Sequence, residues 1–218
     1  MVCRCGPEVL IKRHDAAQDD GEWRAFLAAH DFGELIASGR GHDVPVVVPT
    51  HFIFDGAKEI TLHLAKPNPV WERLEQNPLA IMSVFGAYTY IPTGWNADAP
   101  VPPEEGVPTS YYAAVQAVCR FEIVDSPEAI ADILTRQLAH FQPEGGHALV
   151  DPAVGRYAGQ LPAIRGLRGQ IVDVRAKFKF GGNKSREHRE RIAEQLDDRR
   201  WPRDSDARAH LLRRMATS

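Results

Sequence analysis

Apolar and polar positions alternate with a period of two along much of the chain. In residues 169–180 one face carries apolar side chains and the other charged ones: Val172, Val174, Ala176, Phe178 and Phe180 against Asp173, Arg175, Lys177 and Lys179. The same alternation in residues 111–125 aligns Tyr111, Ala113, Val115, Ala117, Cys119, Phe121 and Ile123. Because successive side chains of a strand point to opposite faces, both segments are predicted to be β-strands.

Shorter β-rich runs fill the first half of the chain, at residues 34–38, 43–55, 59–65, 79–85 and 87–92. The sequence Asp-Gly-Ala-Lys at 55–58 predicts a turn between two of them. The run 79–85 is apolar throughout, which is typical of a strand buried on both faces.

Helical spacing of apolar residues predicts six peripheral helices, at residues 19–32, 68–76, 126–141, 151–166, 184–197 and 204–215. The start at 126 is well signalled, because Ser126 suits the N-cap and Pro127 the first helical position. Pro162 is expected to break the fourth helix.

The predicted strands mostly follow one another and do not alternate regularly with helices. This order favours a mainly β fold with peripheral helices (α+β), built as an antiparallel barrel, over a doubly wound parallel sheet. Residues 93–110 contain four prolines and are too long for a simple turn, so they are a candidate functional loop.

With 218 residues, 44% of them hydrophobic, 25% charged and a net charge of -3, the composition is that of a globular protein with a substantial core. No apolar run reaches the roughly 20 residues that cross a bilayer, and the start carries no secretory signal, so a cytoplasmic location is expected. We expect an N-terminal arm (1–18), a central barrel domain (19–183) and a C-terminal helical extension (184–218).

The chain has three cysteines, Cys3, Cys5 and Cys119. An odd number with two members one residue apart does not make a disulfide framework, and no second pair completes a four-ligand metal site. We therefore predict no metal site and a core position for Cys119, while the role of Cys3 and Cys5 stays open.

Common nucleotide-binding and hydrolase motifs are absent from the sequence. Polar side chains instead collect at the ends of predicted strands: His63, Lys66, Tyr90, Thr93, Thr109, Ser110, Tyr111, Tyr112, Lys177, Lys179, Asn183, Lys184 and Ser185. Cations together with hydroxyl groups are what a phosphate requires. Taken singly, each of these residues also has a purely structural explanation. His63 suits a packed strand position, and Lys177 and Lys179 suit a solvated strand face.

Four segments in order resemble motifs of the PaiB family, the FMN-binding negative transcriptional regulators. They are HLAKPNPVW (63–71), YTYIPTGW (88–95), VPTSYYAAVQA (107–117) and KFKFGGNKS (177–185). The resemblance covers about residues 20 to 195, and four ordered matches are far more specific than any one of them.

The resemblance implies a split β-barrel of the flavin-reductase or pyridoxamine-phosphate-oxidase type, usually a homodimer with FMN bound non-covalently at its interface. His63 and Lys66 would approach the flavin phosphate or ribityl chain, and backbone groups near Thr50 and His51 would face the flavin ring. The cofactor cleft would be lined and completed by Tyr90, Thr93, Thr109, Tyr112, Lys179 and Asn183.

Several positions depart from the family's motifs, namely Pro92-Thr93, Ser110-Tyr111, Gln116 and Phe180-Gly181-Gly182. These substitutions replace polar groups next to the expected pocket. The resemblance implies FMN as the cofactor, and these substitutions leave a deazaflavin, haem or no cofactor as alternatives.

Three functions follow. The first is an FMN-dependent, oxidoreductase-like protein that transfers hydride to or from a small substrate, for which the sequence identifies no catalytic residue. The second is a DNA-binding repressor, although the net charge does not support it and residues 184–214 hold ten Lys or Arg against seven Asp or Glu. The third is a haem-binding split barrel with His51 or His63 as the axial ligand.

Overall fold

The computed structural model describes residues 9–98 and 100–216. Its strands are β1 (Phe32–Ala37), β2 (Val46–His51), β3 (Ile53–Phe54), β4 (Glu59–Ala65), β5 (Leu79–Ile91), β6 (Thr109–Val124) and β7 (Ile164–Lys179). Its α-helices are α1 (Asp20–Ala28), α2 (Val70–Gln76), α3 (Pro127–Phe141), α4 (Gly155–Gln160), α5 (Arg186–Arg199) and α6 (Asp204–Ala216). None of these helices combines the length and the apolar character needed to cross a membrane.

The seven strands form one sheet in the order β2-β1-β5-β6-β7-β4-β3. The pairs β1–β2, β1–β5, β3–β4 and β4–β7 are antiparallel. The predicted mainly β fold with peripheral helices is therefore confirmed. Strands that are distant in sequence meet in this sheet, since β4 pairs with β7 across about a hundred residues.

The chain folds into two compact units, each assembled from separate segments. The first unit comprises the described residues up to Asp20 together with Phe85–Val115 and Arg175 onward, and the second comprises Gly21–Val84 and Gln116–Val174. Strands β5, β6 and β7 contribute residues to both units. The expected division at residues 18 and 183 stays a prediction.

In the second unit, helix α3 packs against β4. Its apolar side joins a buried cluster of Val124, Ile130, Ala131, Ile133 and Leu161. The helix begins as predicted, because Ser126 Oγ accepts a hydrogen bond of 3.2 Å from the backbone N–H of Ala129. Cys119 is fully buried, as predicted, and burial raises the pKa of its thiol to about 12.

In the first unit, the alternating pattern of the sequence becomes a buried strand face. Tyr111, Ala113 and Val115 of β6 and Phe178 of β7 are almost fully buried. Helices α5 and α6 pack against each other, and their apolar sides contribute Ile192, Ala193, Leu196, Ala207, Leu211 and Met215 to the core.

Two strands differ from the pattern-based expectation. Residues 79–85 and 87–92 form a single strand, β5, in which Ala87 has a φ of +51°. Gly86 and Ala87 are both buried, so the inward and outward positions exchange there, as at a β-bulge, and Phe85 is 62% exposed. Strand β7 begins at Ile164 because it pairs with Ala65 of β4, and Val172, expected on a buried face, is 56% exposed.

The predicted turn at 55–58 is also present. Asp55 Oδ1 accepts hydrogen bonds of 2.8–2.9 Å from the backbone N–H groups of Ala57, Lys58 and Glu59. Gly56 has a φ of +82°, which favours glycine. The turn fixes the start of β4, the strand that carries His63.

Candidate functional site

A cavity of about 380 Å³ in the first unit contains most of the cationic candidate side chains. We call it the lysine cavity. Its described lining residues include four lysines and a single carboxylate, and the full set is Leu10, Lys12, His14, Asp15, Asn96, Val107, Pro108, Thr109, Tyr111, Lys177, Lys179, Gly181, Asn183 and Lys184. Such an excess of positive charge favours an anionic ligand.

The start of β6 and the end of β7 supply the centre of the lysine cavity. Lys179 Nζ donates a 2.7 Å hydrogen bond to Thr109 Oγ1, and Asn183 follows four residues later. Lys177 Nζ donates to the carbonyl oxygen of Leu10 at 2.8 Å. An ammonium, a hydroxyl and an amide therefore converge on one space, and these are donors that a phosphate requires.

Tyr111 is 1% exposed and also lines the lysine cavity. Its Oη is buried without a hydrogen-bond partner among the described residues, and burial raises its pKa to about 12. A Cβ at position 181 would lie 2.3 Å from this oxygen, and Gly181 has a φ of +66°. The absence of a side chain at Gly181 therefore makes room for the tyrosine hydroxyl.

The loop after β5 borders the same cavity through Lys184. Its Nζ donates to the carbonyl oxygen of Asn96 at 3.5 Å and to Asp98 Oδ2. The hydrogen bond from Lys184 is the main reason that the pKa of Asp98 is lowered. The Asn96 side chain donates to the carbonyl oxygen of Val107, which ties the two ends of the loop together. This loop is the segment that the sequence marked as a candidate functional loop.

Sequence reasoning missed the contribution of the N-terminal segment. Lys12 and His14 line the cavity, Asp15 is 4% exposed, and Ala16 forms an isolated β-bridge with Lys177. No local pattern signals these contacts, because they join residues far apart in the sequence, more than 150 positions apart in the case of Ala16 and Lys177. Cys3 and Cys5 lie outside the described residues.

The other candidates of the first unit lie elsewhere in it. Tyr112 lies beneath Lys177, whose Nζ is 5.7 Å from the ring centroid. Tyr90 is 42% exposed, and its carbonyl oxygen accepts a 2.9 Å hydrogen bond from Arg199. The carbonyl oxygen of Thr93 accepts from the Asn96 N–H at 3.1 Å. The structure thus brings Thr109, Lys179 and Asn183 into one cavity, whereas Tyr90, Thr93 and Tyr112 are not among its lining residues.

In the second unit, His63 forms a specific contact that the sequence did not indicate. Its Nδ1 lies 2.6 Å from Gln137 Oε1 on α3, and Gln137 is 3% exposed. Since an amide oxygen only accepts, Nδ1 carries the proton and Nε2 is left as an acceptor. Burial lowers the pKa of His63, an effect that the Gln137 contact opposes and nearby His51 reinforces.

The remaining candidates of the second unit surround this histidine or lie at the strand end. The ring of His51 meets His63 edge-on at 5.6 Å and Phe141 at 5.1 Å between centroids. Thr50 is 5% exposed and donates to the carbonyl oxygen of His51 at 3.1 Å. Lys66 is exposed, and its positive charge helps to lower the pKa of Asp125.

Asp125 belongs to an ion-pair network at this strand end. It accepts two hydrogen bonds of 2.7 Å from Arg165, and Glu75 accepts a third of 2.8 Å. The pKa of Asp125 is lowered mainly by the Arg165 contact. Lys66 therefore lies near a carboxylate already neutralised by arginine, which leaves its own charge available to a ligand.

A metal centre is not apparent in the described part of the chain, where no three His, Cys, Asp or Glu side chains are grouped to hold an ion. His63 keeps Nε2 as an acceptor, and haem ligation by His51 or His63 stays a prediction.

The basic C-terminal helices use several of their arginines within the fold. Arg186 pairs with Glu190, Arg191 donates to Ala97, Arg199 to Asp204, and Arg208 to Ala193. These bonds occupy donors that DNA phosphates would need. DNA binding stays a prediction that these contacts do not favour.

Comparison with known proteins identifies the family. The family described as "Putative FMN-binding domain" matches residues 10–173, about three quarters of the chain. The chain is also 23% identical over 180 residues to "Protease synthase and sporulation protein PAI 2" of Bacillus subtilis, an alignment that covers 81% of this chain and 84% of the relative.

Solved structures share the fold at low sequence identity. A flavocytochrome from Azotobacter vinelandii matches with a TM-score of 0.58 at 17% identity, covering 82% of this chain and 77% of its own. An FAD- and haem-binding protein from Mycobacterium smegmatis matches with a TM-score of 0.58 at 18% identity, and the match covers 83% of this chain and 80% of that protein. These likenesses confirm the predicted split β-barrel. The family match over about three quarters of the chain shows that this chain belongs to the PaiB family of putative FMN-binding proteins.

Proposed function

We propose that the flavin of this protein is FMN and that its phosphate binds in the lysine cavity. The observation that carries this proposal is the convergence of Lys179, Thr109 and Asn183 in a space whose described lining holds four lysines and one aspartate. FMN differs from riboflavin by its phosphate group, so a site rich in cations and donors matches the feature that distinguishes FMN.

The energetics support a phosphate ligand. Several like charges close together repel one another, and a dianion removes this repulsion. Lys179 is already held by Thr109, so its position is fixed before a ligand arrives. Each charge-assisted hydrogen bond to the phosphate is worth about 1.5–3 kcal/mol.

The volume of the cavity, about 380 Å³, lies near the lower end of the roughly 300–1,000 Å³ typical of small-molecule sites. The described lining is mostly polar or charged, with Val107, Pro108 and Tyr111 among its few apolar surfaces. This composition suits the phosphate and ribityl part of FMN better than its ring system.

A homodimer would supply apolar surroundings for the ring. On β5 the bulge at Ala87 leaves Phe85, Tyr88 and Tyr90 exposed by 62%, 49% and 42%. Aromatic side chains on one short segment are typical of an interface, because each can bury about 150–250 Å². We include a second copy of the chain, with Tyr90 at the interface, in the proposal.

The proposed activity is hydride transfer between the bound flavin and a small substrate. The flavin supplies the redox chemistry, and the chain supplies binding and orientation. We assign no catalytic acid or base. His63, neutral and with Nε2 free to accept, is the side chain of the second unit best suited to contact a flavin or substrate donor group.

The visible spectrum of the purified protein, with mass spectrometry of the released ligand, tests the cofactor directly. Flavin absorption and the mass of FMN are expected, whereas a deazaflavin mass or a Soret band would replace FMN by one of the alternatives. A colourless protein that leaves FMN fluorescence unchanged on titration would contradict flavin binding altogether.

Comparing FMN with riboflavin tests the phosphate assignment. FMN is expected to bind at least tenfold more tightly, and Lys179→Ala is expected to remove most of that difference. Lys58→Ala is the matched control, because Lys58 is exposed in the turn before β4. Equal binding of FMN and riboflavin by the unmodified protein would refute the role of the lysine cavity.

A further inference from the structure

A second cavity of about 380 Å³ lies in the first unit and is rich in arginine. We call it the arginine cavity. Arg13, Arg189 and Arg214 line it together with His14, Gln18 and Phe180, and its described lining includes no carboxylate. Three guanidinium groups around one space produce a strongly positive potential.

The arginine cavity is separate from the lysine cavity. Lys179, Gly181 and Asn183 line the lysine cavity, whereas Phe180 and Gly182 line the arginine cavity. His14 is the described residue that lines both. Alternate residues of the same short segment thus contribute to two different spaces, and a ligand in one would contact largely different residues from a ligand in the other.

Arg189 on α5 lines the arginine cavity and contains a buried guanidinium nitrogen. Its Nε is buried and has no hydrogen-bond partner among the described residues. Leaving a buried donor unpaired costs about 1–3 kcal/mol, and more for a charged group. An oxygen of a bound anion would supply the missing acceptor. The planar guanidinium also suits two oxygens of one oxyanion.

The wall of the arginine cavity formed by the N-terminal segment is already in place. Arg214 donates to the carbonyl oxygens of His14 at 3.3 Å and Ala16 at 2.9 Å. A Cβ at position 182 would lie 2.3 Å from the carbonyl oxygen of His14, so Gly182 permits this close backbone approach. Because these walls are preformed, less conformational entropy is lost when a ligand binds.

We propose that the arginine cavity is a second anion site that binds a phosphate group independently of the flavin. The three arginines and the unpaired Nε of Arg189 favour an oxyanion, and the volume of about 380 Å³ leaves room for a phosphate group that carries a small organic substituent. A phosphate ester of a small molecule and free inorganic phosphate share this chemistry.

Titration calorimetry on the flavin-saturated protein tests the site, with inorganic phosphate and phenyl phosphate as probes at constant ionic strength. We expect saturable binding of phosphate with one site per chain. Tighter binding of phenyl phosphate would assign the site to an ester, and equal or weaker binding would assign it to free phosphate. Absence of saturable binding of both probes would overturn the proposal.

Substitutions of the lining arginines test whether phosphate binds in the arginine cavity. Arg189→Gln is expected to weaken phosphate binding at least tenfold, with Arg189→Lys intermediate. Arg186→Gln is the matched control on the same helix, because Arg186 is 71% exposed at its side chain and pairs with Glu190. If the Arg189 variants fail to fold, Arg13→Gln replaces them, since Arg13 is exposed and its loss is also expected to weaken binding.

Lys179→Ala separates this proposal from the proposed function. Phosphate binding to the arginine cavity is expected to persist in Lys179→Ala, even where FMN binding is lost. Competition between phosphate and FMN, together with phosphate binding that is lost in Lys179→Ala but retained in Arg189→Gln, would assign the anion to the lysine cavity. This result would overturn the second site.

Discussion

Lys179 Nζ lies 2.7 Å from Thr109 Oγ1, so the last residue of β7 donates a hydrogen bond to the first residue of β6. The two residues are 70 positions apart in sequence. Their contact holds an ammonium group and a hydroxyl at the lysine cavity before any ligand arrives. It is the geometric basis for assigning the FMN phosphate to that cavity.

Replacing Thr109 by valine should weaken FMN binding about three- to tenfold. The valine keeps the shape but removes the acceptor that positions Lys179, and a hydrogen bond contributes about 0.5–1.5 kcal/mol. Quenching of FMN fluorescence measures the affinity. Thr109→Ser retains the hydroxyl and should bind nearly as the parent does. Equal losses in both variants would point to packing and not to the hydrogen bond.

Lys66→Ala tests the expected contact of Lys66 with the ribityl chain of FMN and should weaken FMN binding by roughly 1.5–3 kcal/mol, the worth of a charge-assisted hydrogen bond. Lys66 is exposed, and the nearby Asp125 is bound bidentately by Arg165, which leaves the lysine available to a ligand. The same fluorescence titration measures the effect, with Lys58→Ala as control. Affinity equal to that of the parent would make Lys66 an ordinary surface lysine.

Asp204→Asn should reduce stability by about 3–5 kcal/mol, the loss expected when one partner of a buried ion pair is removed. Asp204 is 1% exposed and accepts hydrogen bonds from Arg199 at 2.7 and 2.9 Å and from Thr89 at 2.5 Å. Denaturant unfolding monitored by circular dichroism gives the free energy. Asp206→Asn, at an exposed position of the same helix, should cost far less.

The same carboxylate should make stability depend on acid pH. Burial by itself would raise the pKa of Asp204, but hydrogen bonds from Arg199 and Thr89 outweigh it and lower the pKa below 3.8. Its contribution is therefore present above the unfolded value and is lost as the pH falls through the lower folded value. The pH dependence of unfolding below about pH 4 should be shallower in Asp204→Asn.

His63 should make the free energy of unfolding depend on pH closer to neutrality. Because burial lowers its pKa below 6.5, the folded protein favours the neutral ring, and this contribution is lost as the pH falls through the lowered folded pKa. An NMR titration should place the His63 midpoint below 6.5. Gln137→Met should lower it further, since the Gln137 contact raises the pKa. A midpoint that rises in Gln137→Met would contradict the assigned hydrogen bond.

Gly106→Ala should disturb the loop after β5. The new Cβ would lie 2.1 Å from the backbone oxygen of Thr93, which cannot move as a flexible side chain can. We expect a loss of about 1–3 kcal/mol in stability and weaker FMN binding. In the matched Gly94→Ala, the nearest atom is a proline Cβ at 3.4 Å, so little change is expected. Similar stability of the two variants would show that the loop tolerates the contact.

Local sequence patterns determined much of the architecture. The alternation in 111–125 and 169–180 identified β6 and most of β7, and the predicted strand 59–65 has the bounds of β4. Asp55-Gly56 and Ser126-Pro127 marked a turn and a helix start that the structure contains. These features depend on side-chain direction and on backbone groups a few residues away, which the sequence specifies by itself.

The long-range contacts were decided by tertiary structure. Ordered motifs indicated Lys179, Thr109 and His63, but the pairing of Lys179 with Thr109 and of His63 with Gln137 joins residues 70 and 74 positions apart. The same holds for the N-terminal residues that line both cavities and for Arg189, whose buried Nε no periodicity reveals. A sequence specifies which groups are available, whereas distances between remote groups are set by the packing of the whole sheet and its helices.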